Sequence, residues 1–272
     1  MIFHMISHFL EHERCSLYYW MAGPADRPLV VFTHGVMMDH RIFDHQVAFF
    51  ARHFQVLVWD VRGHGLSRPY GQEFSLRLAA NDLAAMLDHL GRKEAILVGH
   101  SMGGMISQEF TFLYPNRVLA LAGIGTLCLT HKQSNLLKLG DRLVPWFFRH
   151  CPDLIIRKLT PLASGLKPNT RTLSALVSQS VTRDDRLRFW IALMNACRHE
   201  PGYRIPCPLL LTHGRYDYLV GLGTIPYLAP RWAKREPNCR YVVIPNAGHN
   251  AHQDNPNFFN PLLLDFLTHH ST

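Results

Sequence analysis

The run Ala95-Ile96-Leu97-Val98-Gly99-His100-Ser101-Met102-Gly103-Gly104 decides how the rest of the chain is read. Its first four residues are apolar without alternation, the pattern of a short strand covered on both faces. A helical pattern follows and ends near Tyr114-Pro115. Ser101 therefore stands on a tight strand-to-helix turn. Such a turn strains the backbone and tolerates only small neighbours, here Gly99 and Gly103, and it lifts the hydroxyl clear of the sheet at the positive end of a helix. No Lys-Ser/Thr pair follows, which argues against a phosphate-binding loop.

Moving outward, Leu29–Thr33 and Gln55–Trp59 are further short apolar runs. Phe43–His53 and Leu76–Leu90 have apolar residues at helical spacing, the second ending at Gly91. Strand alternating with helix predicts a parallel sheet with crossover helices. Ile2–Trp20, two apolar and aromatic runs parted by Glu11–Arg14, reads as an edge hairpin. Downstream, Leu119–Gly123, Pro208–Thr212 and Tyr241–Ile244 read as strands and Phe258–Thr268 as a closing helix.

Residues 131–205 interrupt this alternation. Helical patterns at Asn135–Leu143, Thr170–Ser180 and Arg183–His199 are expected to be broken by Pro145, Pro152, Pro161 and Pro168. The predicted organisation is an α/β core from 1–130 and 206–272 with a helical cap, or lid, from 131–205. The length, with 47% hydrophobic residues, suits one domain with an insertion. The cap also holds the charge imbalance: its 13 Lys/Arg against 5 Asp/Glu equal the net +8 of the whole chain. That excess suits a solvated face, an anionic substrate or peripheral contact with an acidic lipid surface. It carries no nucleic-acid motif.

No apolar run reaches the length of a membrane span, and the first ten residues are too broken for a signal sequence. The six cysteines are widely separated, without the spacing of zinc or redox motifs. The expectation is an unexported, cytoplasmic protein with reduced thiols.

A serine hydroxyl needs a base, and the base needs an orienting group. Among 18 histidines, His249 sits in Asn246-Ala247-Gly248-His249, directly after the last strand, in a loop that opens on the same sheet edge as Ser101. His252 is the backup. The acid belongs on that edge between nucleophile and base in chain order. Asp217, in Gly214-Arg215-Tyr216-Asp217, fits; Gly123–Thr130 holds no carboxylate and Asp254 comes after the histidine. Backbone N–H groups of Met102 and Val36 are the expected oxyanion donors.

With these pieces in place the chain resembles the α/β-hydrolase superfamily over essentially its full length. The resemblance rests on His34-Gly35, Asp60-Val61-Arg62-Gly63-His64-Gly65-Leu66-Ser67, the Gly99–Gly104 elbow, Tyr114-Pro115-Asn116-Arg117-Val118, the Asp217 turn and Ala247-Gly248-His249. It implies an α/β-hydrolase fold, a mostly parallel central sheet with helices on both faces and an inserted helical cap. It also implies a structural role for Asp60–Ser67. Small capped esterases, enol-lactone hydrolases, perhydrolases and monoacylglycerol lipases are similar; a serine at position 101 argues against haloalkane dehalogenases.

The expected reaction is hydrolysis of a small-molecule ester or lactone, anionic if the cap charge serves the substrate, through an acyl-serine, with no metal or organic cofactor. C–C hydrolysis, acyl transfer, perhydrolysis and monoacylglycerol lipolysis use the same three residues, and a ligand receptor on a hydrolase scaffold is the non-enzymatic alternative. Trp146, Phe147, Phe148, Trp190 and Met194 are candidate pocket residues, although aromatic residues at helical spacing also pack cores. Oligomeric state is not legible.

Overall fold

The computed structural model describes residues 5–71, 73–131, 135–218 and 224–271, with backbone alone over 135–142. Ile2–His4 of the expected hairpin and the Arg142 side chain lie outside the described residues.

The hairpin is β1 (Ile6–His12) and β2 (Cys15–Ala22), which reverses through Glu13 and Arg14 at φ 47° and 60°. After it come β3 (Leu29–Thr33), α1 (Asp44–Phe50), β4 (Gln55–Trp59), α2 (Leu76–His89), β5 (Ala95–His100), α3 (Met102–Leu113) and β6 (Val118–Ile124). The chain closes with β7 (Leu209–Gly214), α8 (Thr224–Arg235), β8 (Cys239–Ile244), α9 (Ala251–Asp254) and α10 (Pro256–His269). The eight described strands form one sheet in the order β1-β2-β4-β3-β5-β6-β7-β8. The β1–β2 and β2–β4 pairs are antiparallel, and every pairing from β4–β3 to β7–β8 is parallel.

The lack of alternation in these strands is explained by cover on both faces. Val30, Phe32, Ile96, Val98, Ala120 and Leu210 point to one side, against Val47 and Phe50 of α1 and Phe259, Leu263 and Phe266 of α10. Val31, Leu57, Leu97, Leu121 and Leu209 point to the other, against Leu83 and Leu87 of α2, Ile106 and Phe110 of α3 and Trp232 of α8. Each such side chain contributes about 1.5–3 kcal/mol on burial. This is the α/β-hydrolase fold, with β5 and the elbow near the middle of the sheet.

Between β6 and β7 the chain forms α4 (Asn135–His150), α5 (Asp153–Ser164), α6 (Pro168–Val177) and α7 (Arg183–Ala196). Two expected breaks are overturned, because Pro145 lies inside α4 and Pro161 inside α5, a helix the proline pattern had hidden. An interior proline costs about 3 kcal/mol. Packing of α4 against α7 and of α5 against α6 offsets it. Pro152 and Pro168 do stand at helix starts. Thr182 opens α7 with a capping box: its hydroxyl accepts from Asp185 N–H and the Asp185 carboxylate accepts from Thr182 N–H.

The insertion is seated on the core at defined points. Phe189 of α7 stacks on His64, ring centroids 4.1 Å apart. The Asp254 carboxylate accepts from the N–H groups of Leu166 and Lys167, at 2.8 and 2.9 Å, and also from Gly248 N–H at 2.8 Å. Arg198 reaches Glu109 at 2.7 Å.

Candidate active site

The elbow is built by contact. Ser101 has φ 51° and ψ −115°, a conformation that costs a non-glycine residue of order 1–3 kcal/mol. Four hydrogen bonds hold it there: Ser101 N–H donates to Ile124 C=O at 2.8 Å, and the Ser101 carbonyl accepts from Thr126 Oγ1, Gly104 N–H and Met105 N–H at 2.8–3.2 Å. A Cβ on Gly103 would stand 2.0 Å from the Thr33 carbonyl oxygen, and one on Gly99 2.4 Å from the Gly103 backbone. The glycines flanking the serine are thus required by the packing of β5, α3 and β3 against one another.

Asp217 and His249 come from the loops after β7 and β8 and are both buried, 1% and 5% exposed. His249 Nδ1 lies 3.1 and 3.0 Å from the two Asp217 carboxylate oxygens, so that Nδ1–H donates to the carboxylate and Nε2 is left free. The two loops are tied together by Tyr216 N–H donating to the Ala247 carbonyl at 2.9 Å. His100 packs edge-on against His249 at 4.7 Å. Burial, followed by the neighbouring His249 and His252, pushes the His100 pKa well below the usual imidazole range, so a neutral ring backs the candidate base.

Ser101 and His249 line one cavity of about 290 Å³. Its core-side wall is Gly35–Met38 and His100, and its insertion-side wall is Val144, Phe147, Phe148, Ile156, Leu159, Thr160, Ala163, Ser164 and Trp190. None of these lining residues is Asp, Glu, Lys or Arg. Met102 is the first residue of α3, where a backbone N–H has no carbonyl one turn back, and Val36 lies on the cavity wall. Of the expected pocket residues, Phe147, Phe148 and Trp190 are on the lining. Trp146 and Met194 are not: Trp146 is 62% exposed on the outer side of α4, and Met194 packs against the core. The wall follows the spacing 144, 147, 148 on α4 and 156, 159, 160, 163 on α5, a helical stripe that was readable once α5 was recognised.

His252 is held away from this role. Its Nε2 meets the Ile42 carbonyl at 3.2 Å, its ring stacks on Phe43 at 4.8 Å, and burial pushes its pKa down to about 3. Asp39, His40 and Asp60 lie close enough together to suggest a metal site, but their atoms are engaged internally. The Asp60 carboxylate accepts from His40 N–H, His40 Nδ1–H and Leu66 N–H at 2.7–2.9 Å, and Asp39 takes the Arg41 guanidinium. A larger groove of about 550 Å³ lined by Arg77, Glu109, Arg188 and Arg198 contains none of Ser101, Asp217 or His249.

Gly125 was not anticipated from the sequence. It has φ 54°, and a Cβ there would stand 3.2 Å from both Asp217 Oδ2 and His249 Nδ1. Gly125→Ala is expected to lower kcat/KM roughly 10- to 100-fold by displacing the Asp–His pair, and to lower stability by about 1–2 kcal/mol through the left-handed backbone. Wild-type turnover in that variant would show that the pair tolerates displacement.

The fold is that of the alpha/beta hydrolases. The chain belongs to the alpha/beta hydrolase family, whose model matches residues 30–262. It is 29% identical to a sequence assigned as a carbamate hydrolase in Pseudomonas savastanoi pv. phaseolicola, over 95% of this chain and 98% of that one. Among solved structures it resembles a thermophilic esterase from Thermogutta terrifontis, with TM-score 0.81, 22% identity and coverage of 99% of this chain and 100% of that one. It equally resembles the enol-lactonase from Burkholderia xenovorans LB400, with TM-score 0.81, 20% identity and coverage of 96% and 100%. At these identities the structural likeness establishes the fold alone.

Proposed function

We propose that the protein is a serine hydrolase of carboxylic esters or lactones. The observation that carries this reading is a buried Asp217–His249 pair whose free imidazole edge shares one cavity with Ser101. Ser101 Oγ attacks the carbonyl carbon as His249 Nε2 takes its proton. The N–H groups of Met102 and Val36 hold the oxyanion, each such donor being worth about 3–4 kcal/mol in known cases. Collapse expels the alkoxide, which takes the proton from His249 and leaves an acyl-Ser101 ester. Water then attacks that ester, giving its proton to His249, and the acid departs as the proton returns to Ser101 Oγ. Side chains and backbone suffice for every step. In this reading the insertion is the cap, and it supplies the acyl-binding wall.

An apolar cavity near the small end of ligand-site volumes, with no Asp, Glu, Lys or Arg on its lining, suits a short to medium neutral acyl chain. Along a p-nitrophenyl ester series from acetate, kcat/KM is expected to rise roughly fourfold per added CH₂, as about 0.8 kcal/mol of burial per group implies, until the cavity is filled. A flat profile would mean that the acyl group does not enter this cavity. No turnover of any ester, lactone or carbamate would favour the receptor alternative. The near full-length likeness to a carbamate hydrolase supports a second reading, cleavage of a carbamate by the same residues. Direct comparison of a carbamate with its isosteric ester decides between them. Six free thiols support a reducing, cytoplasmic setting.

A further inference from the structure

The excess charge of residues 131–205 is distributed in a way that bears on what it serves. Some of it is spent internally: Arg186 pairs with Asp153 at 2.5 Å, and Arg198 pairs with Glu109. None of it reaches the cavity, whose described lining has no Lys or Arg. Arg149, Arg157 and Lys158 are instead exposed on α4 and α5. Exposed alongside them are large apolar side chains, Leu143 and Trp146 on α4 and Leu154, Ile155 and Leu162 on α5. Isolated exposed apolar residues need no explanation, but five large ones on two successive helices, together with three exposed cations, do. Phe147 and Leu159 complete the picture, because they line the cavity and are also 36% and 46% exposed. Through these two side chains the cavity lining is continuous with the exposed sides of α4 and α5.

We infer that the outer face of α4 and α5 docks on an anionic lipid surface. Apolar side chains interleaved with Arg and Lys on a surface helix are the composition that lies in a bilayer interface, the rings and branched chains entering the acyl boundary and the cations staying among phosphates. The charge complementarity is what selects a lipid surface, since none of these cations forms an ion pair with a described residue: Asp153, the carboxylate near Arg157, is taken by Arg183 and Arg186. No described helix is long and apolar enough to cross a membrane, so the contact is peripheral. The inference is independent of the proposed reaction, because binding is read without turnover.

The test is cosedimentation of the full chain with vesicles of phosphatidylcholine alone or with roughly a third phosphatidylglycerol. Binding is expected to the anionic vesicles at 0.1 M salt and to fall strongly at 1 M, as the Debye length shrinks from ~10 to ~3 Å. Each of Arg149→Gln, Arg157→Gln and Lys158→Gln should weaken it roughly fivefold. Leu154→Ser with Leu162→Ser should weaken it at both salt concentrations. All of these variants should keep the wild-type circular dichroism spectrum and melting temperature, which shows that they fold. Absence of binding to anionic vesicles at low salt overturns the inference. So does equal binding by the charge-neutralised chain, or a self-association that these substitutions abolish without any vesicle binding.

Discussion

Ser101→Ala is expected to lose about 10⁵- to 10⁶-fold in kcat, and His249→Ala a comparable factor, because a nucleophile and its base act as one unit. Asp217→Asn is expected to lose about 10⁴-fold, since its amide no longer fixes the Nδ1–H tautomer that leaves Nε2 free. A fluorophosphonate should label Ser101 alone. Retention of more than a hundredth of the activity by Ser101→Ala, or a label on another residue, would overturn the assignment. The strained backbone adds a second readout. Ser101→Gly should be as inactive as Ser101→Ala and yet more stable than it, by about 1 kcal/mol or more, because φ 51° with ψ −115° suits glycine. Equal melting temperatures for the two would mean that the elbow stores no strain.

The second large effect is loss of stability in mild acid. His34, His64, His100 and His252 are fully enclosed, and burial pushes the pKa of each below the usual imidazole value. His34 shows why protonation is resisted: its Nδ1–H donates to the Gly35 carbonyl at 2.8 Å while its Nε2 accepts from Val61 N–H at 3.0 Å, so a second ring proton would face a donor. In the unfolded chain the same rings titrate near ~6.5. A pKa lowered by folding means that the unfolded state binds the extra protons, so the contribution is intact above that value and is lost as pH falls below it. A ring whose folded pKa lies well below that range removes about 1.4 kcal/mol per pH unit, so His64, His100 and His252 together remove on the order of 4 kcal/mol by pH 5.5, and His34 adds to the loss in the same direction. That is a large part of the 5–15 kcal/mol typical of a domain. Asp60 adds a later loss of the same sign: burial opposes its ionisation, but the hydrogen bonds from His40 outweigh that and hold its carboxyl below the ordinary range, so its contribution goes only as the pH falls below about 4. The melting temperature should drop on the order of 10 °C between pH 7.5 and 5.5. A drop of a degree or two, measured by circular dichroism, would show that these rings titrate freely in the folded protein.

What was legible in the sequence follows from how local its cause is. The elbow, Asp217 and His249 each sit a few residues past a recognisable strand, and parallel strands place those positions on one edge whatever the details of packing. The insertion obeys no such rule. Pro145 and Pro161 suggested helix ends where tertiary contacts keep the helices running, so α5 and its stripe of wall residues were missed. Trp146 and Phe147 are neighbours in sequence, and only the rotation of α4 against α7 puts one outside and the other on the cavity. Gly125 carries no signal of its own, because the need for a missing side chain arises from two residues far along the chain.

Asp254, set aside as a catalytic acid, binds the amides of Leu166 and Lys167 in the insertion and that of Gly248 beside His249. The insertion is therefore not a module that can be exchanged freely to change specificity. A graft that lacks two free amides at this junction leaves a buried carboxylate with one of its three partners, a defect worth several kcal/mol. It also loosens the loop that carries His249, the proposed base. Recombination that respects this junction must transfer residues 164–170 and 248–254 together, so shuffling at the β6 and β7 boundaries alone yields chains that fold poorly or carry a misplaced histidine.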